Sequence, residues 1–194
     1  AILTKKLNEV MALNLTVDII ATSHGIIWRD NPAQIIHQYY KWADKYAENR
    51  VAVLYDTMWD GTRRLAEAIV EGIRAARPDL TVVVHNCSKT DKNDVITEVF
   101  RAKGIVLGSP TVNRGYLSVI AGLLEEMKGL AFKGKKAAAF GTYGWSGESP
   151  KLLAEALKEA GFEVNQEGLK VLWNPDAAAL ALARQQVGAG NLTG

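Results

Sequence analysis

Cysteine occurs once in this chain of 194 residues, at position 87. A single thiol excludes an intramolecular disulfide framework, and the scarcity fits a reducing, cytoplasmic compartment. Long apolar runs are missing too, and nothing approaches the length of a membrane span. Neither sign of charge dominates. The 23 basic and 21 acidic residues leave a net charge of +2, with no bias toward nucleic acid or an anionic membrane. Internal repeats and low-complexity segments are absent. The first residues, AILTKKLNEV, carry neither an initiator methionine nor a signal-peptide pattern and read as the start of a fragment or a processed chain. What is present is ordinary for a soluble globular protein: 48% hydrophobic and 23% charged residues, in a length that suits one domain, or one domain plus part of another.

From Val51 onward a short apolar run, a polar loop and an amphipathic stretch recur. The runs are VAVLY (51–55), LTVVVHN (80–86), GIVLGS (104–109) and KAAAFG (136–141), with a fifth inside FEVNQEGLKVLW (162–173). They are mostly unalternated, as strands buried on both faces should be. Between them Leu65, Ile69 and Ile73, then Val119, Leu123 and Met127, then Leu153 and Leu157, are spaced as helix stripes. Gly161 ends the last of these helices. Ser149-Pro150 reads as N-cap and N1, and Asn174-Pro175-Asp176 as another helix start. Alternating strands and helices predict an α/β fold: a doubly wound, five-stranded parallel sheet in the flavodoxin-like order 2-1-3-4-5.

Residues 1–49 stand outside this repeat. LTKKLNEVMALN predicts a helix, VDIIATS a strand without a partner in the sequence, and AQIIHQYYKWADKYAEN a second helix striped by Ile36, Tyr39 or Tyr40, and Ala43. His37 falls on the polar side of that helix. The tail from Gly188 to Gly194 is expected to fray.

In such sheets ligands sit beyond the carboxyl ends of the strands. The loops there, DTMWDGT, SPTVNRG and TYGWSGES, are the most unusual stretches of the chain. In the first, a helix starting near Thr62 points unpaired N–H groups and a partial positive charge at the loop. Thr57 and Thr62 add hydroxyls, and Gly61 permits close approach, which together suit a terminal monophosphate. The lysine and following hydroxyl of a P-loop are absent, as is the G-x-G-x-x-G of a dinucleotide site. Asp60 repels an anion unless it turns outward, and Arg63 and Arg64 could offset it. An ordinary turn with Thr62 or Asp60 as N-cap accounts equally for this loop alone. SPTVNRG offers hydroxyls, the Asn113 amide and a backbone loosened by Gly115 to the edge of a planar heterocycle, or is simply a turn fixed by Pro110. Tyr143 and Trp145, set among glycines, are better suited as walls for a flat ring than as core. G-W-S-G-E misses the nucleophile elbow by its last glycine, and no histidine follows it in the chain. A phosphate cradle beside a ring slot, without a dinucleotide fingerprint, implies a mononucleotide with an aromatic system, and FMN fits.

With these motifs in view, YDTMWDGT, GSPTVNRG and FGTYGWSGES resemble the three FMN loops of the flavo-diiron proteins (A-type flavoproteins), their flavorubredoxin (nitric oxide reductase) branch in particular. VDIIATSHGIIWRDNP resembles the end of that family's metallo-β-lactamase-like domain, whose last diiron ligand would be His24. The resemblance spans roughly residues 17 to 173. It implies a remnant of that domain at 1–32, a connecting helix at 33–49, an FMN-binding domain at 50–188 and a tail at 189–194. Thr57, Met58, Trp59, Asp60, Gly61 and Thr62 would surround the phosphate. Ser109, Pro110, Thr111, Val112, Asn113 and Arg114 would line one edge of the ring, and Tyr143, Gly144, Trp145, Ser146 and Gly147 its other side. Compared with flavodoxins proper, Trp59 replaces a threonine and Asp60 a common glycine, so phosphate affinity is either weaker or rests more on backbone N–H groups.

The family's H-x-E-x-D-H run is absent, so one histidine cannot hold two irons here, and His24 would bind metal only with the missing domain. No C-x-x-C pair encodes a rubredoxin centre. The resemblance therefore implies an electron-transfer part of an oxidoreductase, fed by a rubredoxin protein or domain and emptied by a diiron domain that reduces nitric oxide or oxygen, in a possible homodimer. Arg114 is the cation expected to favour the reduced flavin. A free-standing quinone-type flavin reductase, or a cofactor-free interaction scaffold, are the competing classes.

Overall fold

The computed structural model describes residues 2–43 and 45–188 and divides into two compact units, Ala1–Tyr46 and Ala47–Gly194. The first holds helix α1 (Ile2–Met11), strands β1 (Ile20–Ala21) and β2 (Ile27–Trp28), and helix α2 (Ala33–Ala43). The expected strand VDIIATS shrinks to two residues. It finds its partner locally, pairing antiparallel with Ile27 and Trp28 across a loop that turns at Gly25 (φ 108). On α2 the buried residue is Ile35, one position before the expected Ile36, and His37 is exposed. Tyr40 Oη donates to Asn8 Oδ1 (2.7 Å), joining α2 to α1.

The second unit alternates strand and helix throughout: β3 (Glu48–Tyr55), α3 (Gly61–Ala76), β4 (Thr81–Asn86), α4 (Lys92–Arg101), β5 (Ala102–Gly108), α5 (Ser118–Leu130), β6 (Lys136–Tyr143), α6 (Ser149–Glu159), β7 (Leu169–Leu172) and α7 (Ala177–Gly188). Its five strands are all parallel, in the order β4-β3-β5-β6-β7, which is the expected 2-1-3-4-5. Because side chains alternate across a strand, the sheet feeds two cores. Val51, Val53, Tyr55 and Val106 pack with Leu65, Ile69 and Ile73 of α3 and Ala183 of α7. Ala52, Leu54, Ile105 and Leu107 pack on the opposite face with α4, α5 and α6 through Val99, Ile120, Leu124, Leu153 and Leu157. Both faces are covered, which is why the strands read as continuous apolar runs.

Three expectations shift locally. The α5 stripe is Ile120, Leu123 and Met127, and Val119 is exposed. Ser149 is the first residue of α6 rather than its cap: Glu148 holds the N-cap position, and Pro150 lies in the first turn as expected. The stretch 162–173 contributes an isolated bridge, Glu163 to Lys136, before the β7 ladder begins at Leu169. Asp176 does cap α7, accepting from Ala179 N (2.8 Å). Of the tail, residues 189–194 lie outside the described residues.

Candidate functional site

At the carboxyl ends of β3, β5, β6 and β7 the loops enclose a cleft of about 600 Å³. Its place beside the β3/β5 switch follows from strand order, since the connection after β3 runs to β4 on one side and the connection after β5 to β6 on the other. Met58, Trp59, Gly61, Pro110, Thr111, Val112, Tyr143, Gly144 and Trp145 line it, together with Thr142, Trp173 and Asn174. Trp59 and Trp145 are 84% and 88% exposed, so their indoles stand at the mouth rather than in a core.

The first loop is anchored by Asp56, a buried carboxylate that accepts from Thr57 N (2.8 Å) and from the Ser88 hydroxyl. Asp56 N donates to Gly108 O (3.1 Å), tying the loop to the end of β5. Asp60 occupies the N-cap of α3 in the left-handed region (φ 61), and its side chain makes no capping bond. Its carboxylate instead accepts from Arg63 Nε (2.9 Å), and this guanidinium contact holds the Asp60 carboxyl below the usual carboxylate range. Arg63 also reaches Glu67 (2.6 Å). The N-terminus of α3 is thus left without a side-chain cap, open to an anion. Thr57 Oγ1 is buried and has no hydrogen-bond partner, which is costly unless a ligand supplies one. Thr62 is outside the cleft lining, with its hydroxyl 3.0 Å from that of Thr142.

The second loop turns through Asn113 (φ 51) and Arg114 (φ 59), while Val112 and Gly115 exchange backbone hydrogen bonds of 2.8 and 3.2 Å. Two consecutive left-handed residues make a tight hairpin turn. The positive φ values therefore fall on Asn113 and Arg114 rather than on Gly115, and both side chains lie at the exposed tip. Ser109 is fully buried: its Oγ accepts from Leu117 N (3.0 Å), and its carbonyl accepts from Ser149 Oγ (3.0 Å). Ser149 N donates to Thr111 Oγ1 (3.2 Å), so the start of α6 pins the second loop.

In the third loop Gly147 (φ 74) turns under the Tyr143 ring, where an added Cβ would lie 3.0 Å from a ring carbon on a backbone that already favours glycine. Ser146 Oγ donates to Glu148 Oε2 (2.6 Å), which lowers the Glu148 pKa, and the charge of Arg114 adds to this. Eight expected positions therefore stand behind or beside the cleft: Thr57, Asp60, Thr62, Ser109, Asn113, Arg114, Ser146 and Gly147. His24 is exposed in the β1–β2 loop of the other unit, and no cluster of three or more potential metal ligands exists among the described residues.

The flavodoxin family model matches residues 53–186, more than half of the chain and all the elements that build this cleft. The chain belongs to the flavodoxin family. An archaeal flavodoxin structure is 31% identical, with a TM-score of 0.64, covering 72% of this chain and 93% of its own. The rubredoxin:oxygen oxidoreductase of Desulfovibrio gigas is also 31% identical, with a TM-score of 0.88, and covers 97% of this chain and 47% of its own. In sequence, the anaerobic nitric oxide reductase flavorubredoxin of Aliivibrio fischeri is 51% identical over 185 residues, 95% of this chain. The chain spans 37% of that relative's length. These likenesses bear out the resemblance to flavo-diiron proteins drawn from the loop motifs. No helix among the described residues is long and apolar enough to cross a membrane.

Sequence reasoning missed three residues of the flavodoxin cleft: Thr142, Trp173 and Asn174. Thr142 opens the loop TYGWSGES, where the aromatics Tyr143 and Trp145 drew the site reading, and Trp173-Asn174 reads only as the end of a strand and the start of a helix. The signal was available, because a loop after the fifth strand opens at the same sheet edge as the other three.

Proposed function

We propose that the cleft binds FMN and that the chain relays electrons through it. The observation that carries this reading is the pairing of an uncapped α3 N-terminus, beside the orphaned buried hydroxyl of Thr57, with an aromatic-walled cleft of about 600 Å³. Bound FMN would supply the redox chemistry, taking up electrons in a pair and releasing them singly. The protein's residues hold and orient it. Thr57 Oγ and the N–H groups of α3 bind the phosphate, with Asp60 turned away onto Arg63. Backbone groups of Pro110 to Val112 meet the ring edge, and Trp59, Tyr143 and Trp145 exclude water from its faces. Arg114 adds positive charge at the rim, partly balanced by Glu148.

In the intact protein the electrons come from a rubredoxin protein or domain and pass to a diiron domain reducing nitric oxide or oxygen, in the cytoplasm, without nucleic acid or membrane partners. The names of the flavorubredoxin and rubredoxin:oxygen oxidoreductase relatives support the rubredoxin donor and the nitric oxide or oxygen acceptor. Residues 1–32 form the end of the metallo-β-lactamase-like domain; the connecting helix expected at 33–49 is α2, which ends at Ala43, and the FMN domain expected from residue 50 starts with β3 at Glu48 and runs to 188. In support, the Desulfovibrio gigas enzyme covers 97% of the chain but the archaeal flavodoxin only 72%, a difference about the size of the N-terminal unit. His24 joins a metal site only alongside that domain, and a homodimer would bring flavin and iron of different subunits together.

The relay is tested by mixing the FMN-loaded chain anaerobically with reduced rubredoxin and following the flavin absorbance. Bleaching at a rate that rises with rubredoxin concentration is expected. A flavin that dithionite reduces but rubredoxin does not would overturn the donor assignment.

A further inference from the structure

Trp173 holds a left-handed backbone (φ 52) that bulky side chains rarely adopt. It is 60% exposed, so core packing does not explain the strain. What fixes it is the cleft. Trp173 N donates to Tyr143 O (2.8 Å), and its indole meets that of Trp145 edge-on, with centroids 5.5 Å apart and planes at 63°. The same ring lies over Gly144, where an added Cβ would come within 3.2 Å of two ring carbons. The indole thus packs closely on the bare backbone of Gly144, and a side chain there would push it aside. On the other side of the loop, the Asn174 side-chain amide lies near Gly61, the first residue of α3: a Cβ at Gly61 would be 3.4 Å from Asn174 Oδ1. Both residues line the cleft. Strained residues over-determined by neighbours at a binding cleft are a mark of pre-organisation.

We infer that Trp173-Asn174 is a fourth cofactor loop: Trp173 is a positioning residue that sets Trp145 against the flavin ring, and Asn174, whose Oδ1 faces Gly61, presents the N–H end of the same amide to the phosphate. This rests on the FMN reading above. The two roles separate by ligand, because riboflavin keeps the ring and lacks the phosphate.

The test measures dissociation constants for FMN and riboflavin, by quenching of flavin fluorescence, on the unaltered chain, Trp173→Ala, Trp173→Phe and Asn174→Ala. Trp173→Ala is expected to weaken both ligands equally, by about three- to tenfold for a lost aromatic edge contact. Trp173→Phe should retain most of the affinity. Asn174→Ala is expected to weaken FMN by about tenfold, as for a lost hydrogen bond to a charged group, and riboflavin by less than twofold. Near-ultraviolet circular dichroism of the flavin-free chain should lose the paired-indole signal in Trp173→Ala and keep it in Asn174→Ala. If both alanine variants bind FMN within twofold of the unaltered chain, the fourth loop is overturned and the flavin reading stands. Equal losses for riboflavin and FMN in Asn174→Ala would overturn its phosphate role. An unaltered chain that binds no FMN would overturn both readings.

Discussion

Thr57 carries the clearest conflict between stability and binding at the scale of single residues. Its hydroxyl is buried without a partner, so the flavin-free chain bears the desolvation cost of that group alone. Thr57→Val keeps the shape and removes the hydroxyl. It should stabilise the flavin-free chain by about 1 kcal/mol in urea unfolding and weaken FMN by about tenfold or more in a fluorescence titration. A variant that loses stability, or binds FMN unchanged, would place the hydroxyl outside the site. Cys87 shows the opposite kind of burial: desolvation first, and then the nearby Asp56 charge, push its thiol up to about 12, which leaves it an inert core residue. Residue identity alone did not reveal which threonine is satisfied. Thr57 and Thr62 look alike in sequence, and only the fold sets Thr62 against Thr142, eighty positions away.

Among the elements, the α3–α7 contact depends on one missing side chain. A Cβ at Gly72 would run into the backbone of Arg184, so α7 packs on α3 only because position 72 is glycine. Helix propensity alone favours alanine by about 1 kcal/mol. The collision outweighs this, and Gly72→Ala should destabilise by about 1–3 kcal/mol in urea unfolding. Gly122→Ala in α5, with nothing within 4 Å, should instead stabilise by roughly 0.5–1 kcal/mol. Equal effects of the two changes would remove the close approach as the cause. Element type was legible wherever burial is two-sided: VAVLY, GIVLGS and KAAAFG are strands because helices cover both faces. Boundaries were less so. β3 begins three residues before its apolar run because Glu48 and Arg50 pair with Arg101 and Glu98 of α4, partners invisible to a local reading. In the α5 stripe Leu123 and Met127 hold, but the first member is Ile120 instead of Val119, because both are apolar and only packing decides which turns inward.

For the molecule as a whole, strand order and cleft position followed from one pattern, the alternation of strands and helices, which permits few topologies. The same rule, that ligands gather at the carboxyl edge of the sheet, located three of the four loops around the cleft. It missed the fourth because Asn174-Pro175-Asp176 carries a helix-start signal strong enough to account for itself. The N-terminal unit was less legible, since two-residue strands carry no periodicity and its expected long strand proved to be half of a short hairpin. The central claim remains that this flavodoxin fold holds FMN by its phosphate and its ring. The most direct measurement is a titration of the purified, flavin-free chain with FMN, following flavin fluorescence and the visible bands. Saturation at one FMN per chain, with quenched fluorescence and shifted bands, is the predicted result. Free-flavin fluorescence and unshifted bands at every ratio of FMN to chain would contradict the account.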